Sequence, residues 1–228
     1  MKYIVVGLGS FGAALSQQLT ARGNEVIGVD TDMNKVEQFK EKISHTICMD
    51  ATEEYAVSGL PLKDTDVVVV AIGEQQGVNV MATALFKNLK VKRLISRAVN
   101  PLHEKVLEAI GVDVIVHPEQ ESAMRWAKKL TLRNVVDSFE LGDGYSITEA
   151  AVPEPYIGKT IEEVGIRQRY NLLVLSTIKE AEERSLTGRV SKRTVVRGVV
   201  TPDQVLEPGE LLVLYGANKD LQDFLQCR

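Results

Sequence analysis

Disulfide and thiolate–metal chemistry have almost nothing to work with in this chain, which holds two cysteines, Cys48 and Cys227, among its 228 residues. They form no metal-type spacing, and an isolated pair is no disulfide framework. Cys48 is expected to pack in the core, and Cys227 is assigned no role. No run approaches the roughly 18–20 apolar residues that span a bilayer. Nor does a charged-then-apolar leader precede the first strand, so the expectation is a chain neither secreted nor membrane-spanning. Charge of one sign is not in excess either. With 27 basic and 31 acidic residues the net charge is −4, which gives no overall pull toward nucleic acid or anionic lipid. Gly12 is followed by Ala13-Ala14 and not by Gly-Lys-Ser/Thr, so there is no P-loop and NTP hydrolysis is not expected.

What is present is ordinary for a globular protein, 44% hydrophobic and 25% charged, with length for one large or two small domains. The informative stretch is the first thirty residues. The apolar run Ile4-Val5-Val6 leads into Gly7-Leu8-Gly9-Ser10-Phe11-Gly12, a helix ends near Arg22-Gly23, and Glu25–Asp30 reads as a second strand ending in a carboxylate. Gly7 allows the tight turn out of the strand, Gly9 lets backbone approach a pyrophosphate, and Gly12 lets the helix pack against the strand. The N–H groups of the helix N-terminus then face phosphate. Asp30 stands where a carboxylate accepts hydrogen bonds from ribose hydroxyls.

Further along, Met33–Lys42 suits a helix, His45–Met49 a strand ending at Asp50-Ala51-Thr52, and Thr52 a helix start. Val67–Ala71 reads as a strand buried on both faces. Val78, Met81, Ala82, Leu85 and Leu89 recur at helical spacing, then Arg93–Arg97 is a strand, Pro101–Ile110 a helix and Val114–His117 a sixth strand. Six strands alternating with helices predict an α/β unit over residues 1–117, a Rossmann-like doubly wound parallel sheet. The polar strand ends, Asp30, Asp50, Ala71-Ile72-Gly73, Arg97 and His117-Pro118-Glu119, converge on one crevice.

A helix from Pro118 into a connecting segment, 118–134, carries Ala123, Trp126, Ala127 and Leu130 on one stripe. That stripe suits either packing on the sheet or crossing to a partner subunit. Residues 135–228 change texture to an α+β module. Strands are expected at Val135–Leu141, Tyr145–Val152, Leu172–Ile178, Thr194–Val200 and Leu211–Tyr215, a helix at Thr160–Gly165 and a closing helix at Asp220–Leu225. Gly142-Asp143-Gly144 is a hairpin turn signal. The charged stretch Lys179–Arg197 is read as a solvated hairpin, with partner docking as the alternative.

The order of these features resembles the RCK family, the cytosolic regulators of bacterial potassium transporters of the Trk and Ktr type. The resemblance runs over nearly the whole chain. It includes Val6–Gly12, Val29-Asp30, Asp50–Glu54, Val70–Gly73, Arg97-Ala98, Lys105–Asp113 and His117–Glu119. In the second module Ile157–Thr160 and Leu206–Leu212 resemble the family's C-terminal regulatory domain. The resemblance implies a regulatory subunit and not an enzyme, cytoplasmic and peripheral on the inner face of the membrane. It implies a homodimer or an octameric ring beneath a membrane-embedded potassium-conducting subunit, with no nucleic acid partner. It also implies NAD(H) or an adenine nucleotide (ATP, ADP or AMP) in the crevice, held by Gly7, Gly9, Ser10, Phe11, Gly12, Asp30, Thr31, Asp50, Ala51, Thr52, Ala71, Ile72, Gly73 and Arg97. Asp30 would bind the adenosine ribose, Asp50 and Thr52 would border adenine, and Arg97 would reach phosphate. Glu119 would meet a divalent cation or the phosphate zone. Ile166, Arg167 and Pro202 match loosely where some members bind cyclic di-AMP. Many Ktr-type members have arginine where this chain has Ser10, a residue that senses the terminal phosphate of ATP. Ser10 therefore leaves NAD(H) a candidate beside ATP and ADP.

Two other readings share these local features. An NAD-dependent oxidoreductase needs a proton donor or acceptor near the hydride path. Of the three histidines, His45 and His103 read as structural, and His117 lies at the crevice rim before a helix start. A soluble nucleotide sensor without a membrane partner is the other.

Overall fold

A computed structural model of the chain describes residues 1–131, 134–184 and 190–226. Cys227 and residues 185–189 of the charged hairpin lie outside them, as do residues 132–133 of the connecting segment. The backbone divides into two compact units, Met1–Glu121 and Ser122–Arg228.

The first unit alternates strand and helix: β1 (Lys2–Val6), α1 (Ser10–Ala21), β2 (Glu25–Asp30), α2 (Met33–Phe39), β3 (His45–Cys48), α3 (Glu54–Ser58), β4 (Val67–Val70), α4 (Gln76–Asn88), β5 (Leu94–Arg97), α5 (Pro101–Ile110) and β6 (Val114–Val116). The strands form one parallel sheet in the order β3-β2-β1-β4-β5-β6. Chain order reverses between β1 and β4, which makes a switch point there and opens a crevice beyond the strands' carboxyl ends. Because helices cover both faces, the central strand Val67–Val70 is buried throughout. Two apolar clusters, one on each face, hold the sheet; Phe86 and Leu94 lie in one, Leu8 and Val26 in the other.

In this first unit three details differ from the sequence expectations. Cys48 is exposed, because β3 is an edge strand and Ile47 supplies its inward side chain; the Cys48 thiol donates to the Thr31 carbonyl at 3.4 Å. Thr52 does not start α3, whose N-cap is Glu53; the Thr52 backbone and hydroxyl instead donate to Asp50 Oδ1 at 2.9 and 2.7 Å. Met81 is exposed, since the buried face of α4 is Asn79, Ala82, Thr83 and Phe86.

Across the boundary of the two units runs α6 (Pro118–Thr131), on which Trp126 is 58% exposed with Lys129 over its ring. The second unit contains β7 (Val135–Gly142), β8 (Tyr145–Ala151), α7 (Ile161–Val164), α8 (Ile166–Tyr170), β9 (Leu173–Arg184), β10 (Val190–Val196), β11 (Leu211–Ala217) and α9 (Asn218–Leu225). Its sheet is antiparallel, in the order β10-β9-β11-β8-β7. Thr160 closes a capping box with Glu163, and Gly165, at φ 64°, ends α7 in the left-handed region. The short α8 that follows was not expected, and the strand expected at Thr194–Val200 lies earlier, as β10.

Candidate functional site

The site grows out of the β1–α1 turn. Gly7 has φ +95°, a conformation open to glycine, and its N–H donates to the Val29 carbonyl at 2.7 Å. A Cβ on Gly12 would lie 1.9 Å from the Gly7 carbonyl oxygen, so helix and strand approach this closely only with glycine there. Gly9 is the N-cap of α1 and makes no side-chain cap bond; nothing lies within 4 Å of where its Cβ would stand. The N–H groups of the first turn have no partner inside the helix and open toward a cavity of about 520 Å³, with no acidic side chain in that turn to occupy them.

Of the residues expected at the site, Gly7, Gly9, Ser10, Asp30, Thr31, Asp50, Ala51, Ala71, Ile72, Gly73, Arg97 and Glu119 line this cavity. Phe11, Gly12 and Thr52 do not. Phe11 packs against the apolar cluster beneath, and Thr52 acts through Asp50. Asp30 is well ordered by its own backbone surroundings: Oδ2 accepts from Leu8 N–H at 2.7 Å and Oδ1 from Asp32 N–H at 2.9 Å. Hydrogen bonds from the Thr52 N–H and hydroxyl hold the Asp50 carboxyl below the usual carboxylate range. Lys35 also lines the cavity, its Nζ 3.7 Å from Asp30 Oδ2. Sequence reasoning missed it, since a lysine early in a surface helix carries no signal of its own.

Arg97 lies at the far end of the cavity. Its guanidinium covers Gly73 so closely that a Cβ there would be 2.5 Å from Cζ. Nη1 donates to the Ala71 carbonyl at 3.3 Å, Nη2 is paired with Glu119, and Nε is buried without a hydrogen-bond partner. The same Arg97–Glu119 pair borders a second cavity of about 280 Å³, where His117 Nε2 lies 3.3 Å from Glu104 Oε1. Among the described residues no group of three or more His, Cys, Asp or Glu side chains is placed to hold a metal ion. The Glu119 carboxylate is paired with the Arg97 guanidinium at the rim shared by the two cavities.

In the second unit, Ile166 is buried in the core, whereas Arg167 and Pro202 are exposed. The Pro202 carbonyl accepts from Glu162 N–H at 2.9 Å.

A doubly wound sheet with a glycine-rich strand–helix turn, a strand-end carboxylate and a guanidinium across the crevice defines a Rossmann-type unit, here joined to an antiparallel α+β unit. Residues 3–118 match the TrkA-N domain, and the chain belongs to that family, among the Ktr and Trk potassium uptake proteins. It is 32% identical to Ktr system potassium uptake protein C of Bacillus subtilis (strain 168) over 223 residues, covering 98% of this chain and 95% of that one. It is 29% identical to Ktr system potassium uptake protein A of Vibrio alginolyticus over 227 residues, 99% of this chain and 96% of that one. Among solved structures the GsuK RCK domain superposes with a TM-score of 0.64 at 20% identity, over 99% of this chain. The GsuK channel bound to NAD does so at 0.64 and 19% identity, over 100% of this chain. This chain spans 48% and 39% of those two chains, and at that identity the likeness is one of fold. Among the described residues no helix is long and apolar enough to cross a membrane.

Proposed function

We propose that this protein is the nucleotide-binding regulatory subunit of a potassium uptake system, in which ligand in the crevice controls conduction by a membrane-embedded partner. One observation carries the nucleotide reading: the open N-terminus of α1, the Asp30 carboxylate and the Arg97 guanidinium all line one cavity. Helix N–H groups and guanidinium suit phosphate, and a strand-end carboxylate suits ribose hydroxyls. The ligand is NAD(H) or an adenine nucleotide, with Asp30 on the ribose, Asp50 and Ala51 beside the base and Arg97 on phosphate. A divalent cation, if used, takes its remaining ligands from the bound phosphates or a second subunit, with Glu119 as one donor.

The potassium reading is supported by the relatives that match nearly end to end and are named for potassium uptake. The protein acts in the cytoplasm, peripheral on the inner face of the membrane, as a homodimer or larger ring. The exposed Trp126 and Leu130 on α6 support self-association. The Arg167 surface is the place for a cyclic dinucleotide. The protein binds and signals without chemistry, a reading supported by relatives named for potassium uptake and not for a reaction.

The test is potassium uptake by cells lacking their own regulatory subunit, supplied with this chain and its membrane partner. Uptake restored by the unmodified chain and lost with Asp30→Ala, at equal protein level, is the expected result. Restoration by neither, with the partner inserted, contradicts the reading.

A further inference from the structure

Behind the crevice, between the sheet and helices α4 and α5, lies a buried polar cluster: Asn79, Thr83, Ser96 and His103. Four polar side chains in an otherwise apolar layer are costly unless each is paired, and such a network then holds a single arrangement. At its centre is Asn79, fully buried. Its Nδ2 donates to the Ile72 carbonyl at 2.8 Å and to the Arg97 carbonyl at 3.3 Å. Its Oδ1 accepts from Ser96 Oγ at 3.1 Å and faces His103 Nε2 at 3.2 Å, with Thr83 Oγ1 3.1 Å from Ser96 Oγ. The amide orientation follows from this set, because a flipped Asn79 would turn its oxygen onto two carbonyl oxygens. His103 therefore carries its proton on Nε2, and its Nδ1 is buried without a partner.

The position of the two carbonyls matters. The β4–β5 ladder ends at the pair Val70–Ser96, so Ile72 and Arg97 lie just past the last register pair. Both line the cavity. We infer that Asn79 is a positioning residue of the crevice. It clamps the Ile72 backbone to the Arg97 backbone where the sheet no longer does, and so fixes the guanidinium relative to the phosphate-facing floor at Ala71–Gly73. Ser96, Thr83 and His103 hold the clamp in its orientation. The inference rests on the nucleotide reading above, with Arg97 on phosphate.

A clamp that acts through Arg97 and a cluster that merely holds helices in place differ in a double-mutant cycle. ADP and adenosine are titrated calorimetrically into the unmodified chain, Asn79→Ala, Arg97→Gln and the double variant, each shown folded by its melting curve. The clamp predicts that Asn79→Ala weakens ADP about five- to tenfold, leaves adenosine within about twofold, and costs ADP less than about twofold once Arg97 is Gln. His103→Gln, which retains a donor to Oδ1, is expected to keep the ADP affinity of the unmodified chain, whereas His103→Leu weakens it. If Asn79→Ala does not fold, His103→Leu takes its place in the same cycle. An equal cost in both Arg97 backgrounds, or an equal cost to ADP and adenosine, overturns the clamp. If Arg97→Gln alone leaves ADP unchanged while ADP still binds, Arg97 is not on phosphate and the clamp falls with it. If neither compound binds the unmodified chain, the nucleotide reading itself fails.

Discussion

Asp30 gives one hydrogen-bond site on each carboxylate oxygen to the backbone, to Leu8 and to Asp32, and each oxygen retains a second lone pair for a ribose hydroxyl. The carboxylate is thus held in place before any ligand arrives. Removing it costs the ligand a charge-assisted bond, roughly 1.5–3 kcal/mol or about ten- to a hundredfold. Asp30→Ala is therefore expected to weaken both ADP and NADH by that factor in titration, and unchanged affinity for both contradicts the assignment. Glu119 works in the opposite direction. Its carboxylate neutralises the guanidinium of Arg97, a side chain 16% exposed and otherwise ready for phosphate. In metal-free buffer Glu119→Gln should tighten ADP, by about tenfold at most given the exposure of the glutamate. Weaker ADP binding by Glu119→Gln without metal would show that Glu119 serves the ligand and does not compete with it.

At the scale of the element, the β1–α1 turn separates two jobs that one motif combines. A methyl group at Gly12 meets the Gly7 backbone, so Gly12→Ala should destabilise the fold by at least the roughly 1–3 kcal/mol of an overpacked core, read by chemical denaturation. At Gly9 nothing is within 4 Å and φ is −72°, so Gly9→Ala should leave the melting temperature unchanged or slightly raised. Its methyl group would project into the cavity and should weaken nucleotide binding. A destabilised Gly9→Ala, or a fully stable Gly12→Ala, would contradict this division. The strands of the parallel sheet and this turn were legible in the sequence because hydropathy and glycine spacing encode them directly. Other elements were not. On α4 the buried face includes Asn79 and Thr83, whose polarity hides the stripe and shifted the reading onto exposed Met81. The outer half of β9, past Ile178, is held by pairing with β10, and its charged sequence gave no hydropathy signal. The short α8 lies between two left-handed residues, Gly165 and Asn171, and only the glycine announced itself.

For the whole molecule, the histidine whose burial makes stability depend on pH just below neutrality is His103. Burial lowers its pKa from the ordinary 6.5, so the folded chain binds fewer protons here than the unfolded chain does. This contribution to stability is present above about pH 6.5 and is lost as pH falls below it. Thermal stability should therefore begin to drop as pH falls below about 6.5, ahead of the carboxylates, and His103→Gln should flatten that part of the profile. An identical profile for the variant would assign the acid lability elsewhere. Nucleotide binding in the crevice is read by calorimetric titration of the unmodified, nucleotide-stripped chain with ADP, NADH, ATP and adenosine. The expected result is one saturable site per chain for ADP and for NADH. Adenosine should be weaker by at least about tenfold, and ATP no more than about tenfold tighter than ADP without metal, since Ser10 offers its third phosphate no charge. No saturable binding of ADP or NADH up to about millimolar concentration, or adenosine binding as tightly as ADP, would contradict the account.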